Sequence, residues 1–408
     1  MFDVDLYQQV LGLSDPWKVV DVRLDMDSTA IHVHVQHGEG CRWKCPKCDQ
    51  QLSCYDHAEE RTWRHLNTCQ FQTLVHARIP RVKCPEHGVV QVAVPWAEPH
   101  GRFTILMERF VIEVLQACQT VKGACQLLGI SWDQAWHVME RAVARGMARK
   151  EALPAARIGI DEKAFAKGHS YLTIASDIDR GVVEFVTEGR EKASLQRFFD
   201  SRTPAQLAGI EAIAMDMWEP YVQATLEAVP LAREKIVFDR FHIMQHMTKA
   251  VDTVRKREHR GLLQHGDERL KRTKYLWLSS KENVGDSRRH FFEQLQASDL
   301  KTARAWAIKE NLRNLWSYTT PGWAKRFFDR WRSWAVRSRL APVVAVARMI
   351  SRRLDNVISY CRHPVTNAVA EGLNSKIMAI KRRAGGFRNI ENFKTVIYFH
   401  CGGLRLYP

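Results

Sequence analysis

No stretch of this chain approaches the ~18 apolar residues that a membrane span requires. The longest apolar run, Leu340 to Ala347, is short and holds Pro342. The N-terminus, Met1-Phe2-Asp3-Val4-Asp5, lacks the basic and apolar regions of a secretory signal. Internal repeats and low-complexity tracts are missing as well, and 45% hydrophobic with 26% charged residues gives no disordered-class bias. These absences predict a protein of the cytosol, where thiols stay reduced. Its 408 residues suffice for two to four domains.

Positive charge, by contrast, is in excess. Sixty-one Lys and Arg face 45 Asp and Glu, a formal net charge of +16. Such a balance points to a polyanionic partner, nucleic acid first. The ten cysteines gather toward the N-terminal third, which in a reducing compartment argues for a metal site over a disulfide framework.

Residues 1–100 read as a β module, with alternating segments at Val19–Leu24, Ala30–Val35 and Phe71–Val82. Two knuckles accompany them, Cys45-Pro46-Lys47-Cys48 and Cys84-Pro85-Glu86-His87. Cys45, Cys48, Cys84 and His87 offer four ligands on two tight turns, as tetrahedral zinc requires, with Cys41, Cys54 and Cys69 as rivals. One structural Zn2+ per chain in a zinc ribbon is expected. Residues 101–152 read as a helix-turn-helix: Thr104–Ala117, Val121–Leu128, a turn at Gly129-Ile130, then a capping box at Ser131 to Gln134. Gln134, His137, Arg141 and Arg145 along the last helix are the expected DNA-contacting face.

From 153 to 242 the pattern turns α/β. Strands are expected at Ile158–Asp161, Ser170–Ser176, Val182–Thr187, Ile210–Asp216 and Lys235–Asp239, and helices at Lys192–Arg202 and Tyr221–Val229. Residues 243–362 read as an all-α insertion rich in Lys, Arg and Trp. Core packing is the favoured role of Trp306, Trp316, Trp323, Trp331 and Trp334 over base stacking. Residues 363–408 close the catalytic core.

Three carboxylates fall in matching contexts. Asp161 and Asp216 end apolar strands, and Glu371 lies on a helix opened by Thr366-Asn367-Ala368. Such oxygen donors suit paired Mg2+ (or Mn2+) ions, two per active site, in phosphodiester chemistry. Asp239 is either a further ligand or a helix N-cap. His242 either contacts the scissile phosphate or satisfies a buried hydrogen bond. Asn367, Asn374 and Lys376 would orient phosphate or metal-bound water, and Lys381, Arg382 and Arg383 precede a glycine turn suited to backbone phosphates.

In the order of its modules and in the motifs Gly159–Glu162, Met215–Trp218, Asp239–His242, Asn367–Asn374 and Gly386–Phe393, the chain resembles DDE transposases of the ISL-three insertion-sequence family. The resemblance covers nearly the whole chain. It implies a multidomain α+β protein with a zinc ribbon, a helix-turn-helix and an RNase H-like α/β catalytic domain interrupted by an all-α insertion. It further implies that Asp161, Asp216 and Glu371 form the catalytic triad, acting on terminal inverted repeats of a bacterial mobile element. Double-stranded DNA would be the partner, in a homodimer or larger assembly at the nucleoid. One departure is visible: the Lys or Arg often found two turns after the catalytic Glu is here Met378. The competing expectations are a repurposed relative that only binds DNA, and a nuclease that cuts without joining.

Overall fold

The computed structural model describes residues 3–118, 120–151, 153–166, 170–365 and 368–408. They group into two compact units, Met1–Glu151 with Ile380–Pro408, and Ala152–Ala379.

In the first unit a short helix α1 (Asp3–Val10) precedes six strands: β1 (Trp17–Asp25), β2 (Ala30–His37), β3 (Arg42–Lys44), β4 (Gln51–Arg64), β5 (Gln72–Cys84) and β6 (Gly88–Gln91). Their order is β1-β2-β5-β4-β3, with β6 paired to β5. One sheet face buries Trp17, Val33, Trp63, Val75 and Trp96. The alternation seen in the sequence is thus a half-buried sheet, one face in the core. The β3–β4 and β5–β6 hairpins matter most for function, because their turns carry the two Cys/His knuckles.

Three helices follow, α2 (Ile105–Ala117), α3 (Val121–Leu128) and α4 (Trp132–Ala148). Each is opened by a hydroxyl that accepts a backbone N–H: Thr104, Thr120 and Ser131, the last in a reciprocal box with Gln134. Gly129 adopts a left-handed conformation (φ 61°) that ends α3, the tight turn expected there. Their shared core holds Val111, Trp136 and Met139 together with Val396 and Phe399 of the C-terminal segment. That burial is why Ile380–Pro408 groups with this unit, whereas the sequence suggested continuity with the catalytic core over 363–408.

The second unit is built on a sheet of β7 (Arg157–Ala166), β8 (Ser170–Asp177), β9 (Val182–Glu188), β10 (Ala212–Met215) and β11 (Ile236–Phe238), in the order β11-β10-β7-β8-β9. The first three strands run antiparallel, and β10 and β11 lie parallel to β7. Helices α5 (Lys192–Asp200), α6 (Pro204–Ala208), α7 (Glu219–Ala228) and α8 (Ala232–Lys235) form the crossovers. This is the RNase H-like arrangement implied by the resemblance. The parallel strands β10 and β11 are buried throughout, so they read as continuous apolar runs.

Directly after β11 comes α9 (Arg240–Leu263), followed by α10 (Lys274–Leu278), α11 (Asp286–Gln296), α12 (Lys301–Leu312), α13 (Pro321–Arg337), α14 (Ala341–Ser351) and α15 (Leu354–Ile358). They form the expected all-α insertion. One continuous core runs from Phe238 in the sheet through Ile243, Met247 and Val251 of α9 to Trp277, Trp306 and Trp331. Of the five tryptophans singled out above, Trp306, Trp316 and Trp331 are buried, while Trp323 and Trp334 are exposed. Beyond the insertion come α16 (Ala368–Arg383) and α17 (Ile390–Cys401).

Candidate active site and zinc centre

Side chains alternate across a strand, so Gly159 and Asp161 share one face of β7, while Ile158, Ile160 and Glu162 share the other. The first face meets α16. A Cβ placed on Gly159 would stand 3.3 Å from the Ala370 methyl and 3.0 Å from Ser176 Oγ, so glycine is what lets this helix approach the strand. One turn on, Asn374 donates its amide N–H to Asp161 Oδ2, which Lys163 Nζ also reaches at 3.0 Å. Glu371 sits three residues before Asn374, on the same helical face.

Asp216 follows the last residue of β10 and accepts from the Met217 amide at 2.6 Å. Asp239 follows β11, accepts from the Phe241 amide at 2.9 Å and so caps α9. The Asp239 amide itself donates to the Met215 carbonyl at 3.0 Å, which holds the two strand ends side by side. His242, on the first turn of α9, stands between these carboxylates, with Nδ1 3.7 Å from Asp216 Oδ2 and Nε2 3.7 Å from Asp239 Oδ2. Asp161, Asp216 and Asp239 therefore lie on three neighbouring parallel strands. Asn367 lies outside the described residues.

Several contributors were not singled out from the sequence. Glu162 turns to the core face; burial, then the charges of Asp161 and Asp216, push its carboxyl above the usual range. Arg190 lies over the rings of Tyr171 (4.2 Å) and Trp218 (5.1 Å), and the Trp218 indole N–H donates to the Arg190 carbonyl. The adjacency Asp161-Glu162-Lys163 was legible; its division between two faces needed the sheet. Beside the carboxylates opens a cavity of about 650 Å3 that Asp239 and Glu371 share with the insertion residues Arg313 and Trp316.

In the first unit, Cys45 and Cys48 occupy the turn after β3, Cys84 ends β5, and His87 lies in the turn before β6. Their ligand atoms all lie within 4.8 Å of one another. Cys48 Sγ is 3.7 Å from Cys84 Sγ, and His87 Nδ1 is 3.5 Å from Cys84 Sγ. Three thiols and an imidazole at these separations fit a structural tetrahedral zinc. The rivals lie elsewhere: the Cys41 thiol donates to the Gly38 carbonyl and the Cys54 thiol to that of Asp56.

The helix-turn-helix residues divide. His137 is exposed on α4, and Gln134 gives its amide oxygen to the Ser131 N–H. Arg141 pairs with Glu108, which is only 1% exposed. Arg145 is spent inside the unit, on Glu98, Glu108 and the Leu406 carbonyl. The helical period placed it on the polar stripe, but a buried carboxylate demands a cation, and Arg145 answers that demand. Lys376, Arg382 and Arg383 are exposed and Lys381 is partly so.

Against known proteins, residues 158–397 match a family described as "Transposase", 92–143 the helix-turn-helix domain of transposase family ISL3, and 42–87 the zinc-finger of transposases IS204/IS1001/IS1096/IS1165. The transposase for insertion sequence element IS1557 of Mycobacterium tuberculosis is 28% identical over 95% of this chain and 93% of its own. The transposase for insertion sequence element IS1001 of Bordetella parapertussis is 25% identical over 86% of each. With carboxylates ranked on adjacent strands of an interrupted core, behind a zinc ribbon and a helix-turn-helix, this chain belongs to the ISL3 family of DDE transposases, enzymes that bind DNA.

Proposed function

We propose that this transposase binds the terminal inverted repeats of its own insertion sequence, cuts the DNA there and transfers the freed strand ends. Asp161, Asp216 and Glu371 are the catalytic carboxylates of this reading. The observation that carries it is the docking of α16 on β7, with Asn374 holding Asp161 and Glu371 one turn away. Hard oxygen donors suit Mg2+ or Mn2+, and a pair of such ions per site would activate the attacking oxygen and stabilise the leaving one.

The chain's own groups do the rest. The strand ends fix Asp161 and Asp216, Asn374 orients Asp161, and His242 stands within reach of Asp216 and Asp239 to hold a proton or a phosphate oxygen. Lys376, Lys381, Arg382 and Arg383, next in the chain after the catalytic Glu, bind backbone phosphates. On the helix-turn-helix, Gln134, His137 and Arg141 are assigned to DNA. Two ends must be bridged, so the acting species is a homodimer or larger assembly, working in the cytoplasm at the nucleoid. The functional divisions are 1–100, 101–152, 153–242, 243–362 and 363–408.

The test is incubation with Mg2+ and a plasmid carrying the gene's flanking DNA, with new 3′ ends mapped for wild type and Asp216→Asn. Breaks at inverted repeats made by wild type alone, with DNA binding kept by the variant, are expected. Binding without breaks in Mg2+ or Mn2+ would replace the enzyme reading with that of a DNA-binding protein. Equal loss of binding and cleavage in the variant would make Asp216 structural.

A further inference from the structure

The cavity beside Asp239 and Glu371 holds more than the carboxylate chemistry uses. At about 650 Å3 it falls within the ~300–1,000 Å3 usual for small-molecule sites. Its walls toward the insertion are aromatic and apolar: Phe241, Met244, Trp316 and Tyr360. The Trp316 indole is only 7% exposed, and its N–H has no hydrogen-bond partner among the described residues. A buried donor left without a partner is costly, and the residue carrying it is on the cavity wall. Trp316 is also held in place, because the Tyr360 hydroxyl donates to its backbone carbonyl.

Charge narrows the occupant. Arg313 is neutralised by Glu282 and Glu310, while Asp239 and Glu371 line the same space, so an anion gains little inside. Arg240, exposed and with its guanidinium carbon 5.5 Å from the Trp316 ring centroid, supplies a cation at the wall. A flat neutral ring with an in-plane acceptor, tethered to a phosphate, satisfies all of these at once. Every base has a π-face for stacking, and each offers acceptors to an N–H donor.

We propose that this cavity receives a nucleobase turned out of the DNA next to the cleaved bond, with Trp316 Nε1–H donating to the base and Arg240 holding the adjoining phosphate. The inference rests on the reading that this unit cuts DNA. It gives the helical insertion a task at the reaction centre: it fixes the strand end by its base while the carboxylates act on its phosphate.

The test uses full-length protein in Ca2+ and duplexes of the gene's flanking DNA, with 5-iododeoxyuridine placed in turn at each position around the break. Photocrosslinks from one or two positions to Phe241, Trp316 or Tyr360 are expected; crosslinks confined to other residues overturn the proposal. Trp316→Phe, which keeps the ring and removes the N–H, should slow cleavage about five- to tenfold. It should not slow a substrate that is abasic at the crosslinking position, and equal slowing of both substrates counts against the proposal. Should the variant fail to fold, the crosslink map decides alone. Cleavage by wild type without cavity crosslinks removes the base site only. Cavity crosslinks without cleavage keep the base site and remove the cutting reading.

Discussion

Glu108 shows how one residue redirects others. Its carboxylate is buried in the helical core and is met by Arg141 and Arg145, the latter with a side chain only 9% exposed. Arg145→Ala would leave that carboxylate with half its partners and open space beside the Leu406 carbonyl. The expected loss is near the low end of the ~3–5 kcal/mol seen when a buried pair is broken, since Arg141 remains. Chemical denaturation measures it, and DNA affinity of the folded variant, followed by mobility shift, should be unchanged. A fall in affinity with unchanged stability would return Arg145 to the DNA face. The sequence gave its helical phase correctly; the partner 37 residues away lay beyond that signal.

At the junction of β4 and α2, His65 is buried and its Nδ1 meets the Thr104 hydroxyl that caps α2. Burial pushes its imidazole down to about 4, so the folded chain keeps it neutral where the unfolded chain, near 6.5, takes up a proton. Stability contributed by this group is therefore full above about pH 6.5 and declines as pH falls toward 4. At 1.36 kcal/mol per unit, the loss from pH 6.5 to 5 is about 2 kcal/mol. Urea midpoints at pH 7 and pH 5 should show a steeper drop for wild type than for His65→Gln; parallel drops would refute the assignment. Elements of this kind were easily legible: Val121–Leu128 and the Ser131–Gln134 box were expected where they are found, because caps and period are local signals. Asp239 was left open between ligand and cap, and only the Phe241 N–H contact shows the cap.

For the whole molecule, zinc is the sharpest lever. The two knuckles are 36 residues apart and are joined through hairpins whose core is modest, so the metal closes the β module. Apparent zinc binding in small finger peptides reaches ~10–16 kcal/mol, comparable with or above the ~5–15 kcal/mol stability of whole domains. Purified protein should carry about one zinc per chain, and a strong chelator should unfold the β module, with Cys45 and Cys84 becoming alkylated. Cys84→Ser should reproduce this without chelator. Metal-free protein with an unchanged melting transition would remove zinc from the account of stability.

The sequence by itself determined the module order, the strand-end aspartates and the paired knuckles, because charge balance, apolar runs and ligand spacing are all written in neighbouring residues. Tertiary structure decided the rest. Whether Asp161 or Glu162 faces α16 depends on the pleat of β7, and whether α16 can approach depends on Gly159 lacking a Cβ against Ala370. Whether Trp316 is mere core or cavity wall depends on residues from α9 and the insertion meeting around it. These are contacts between residues far apart in the chain, and local propensity carries no record of them.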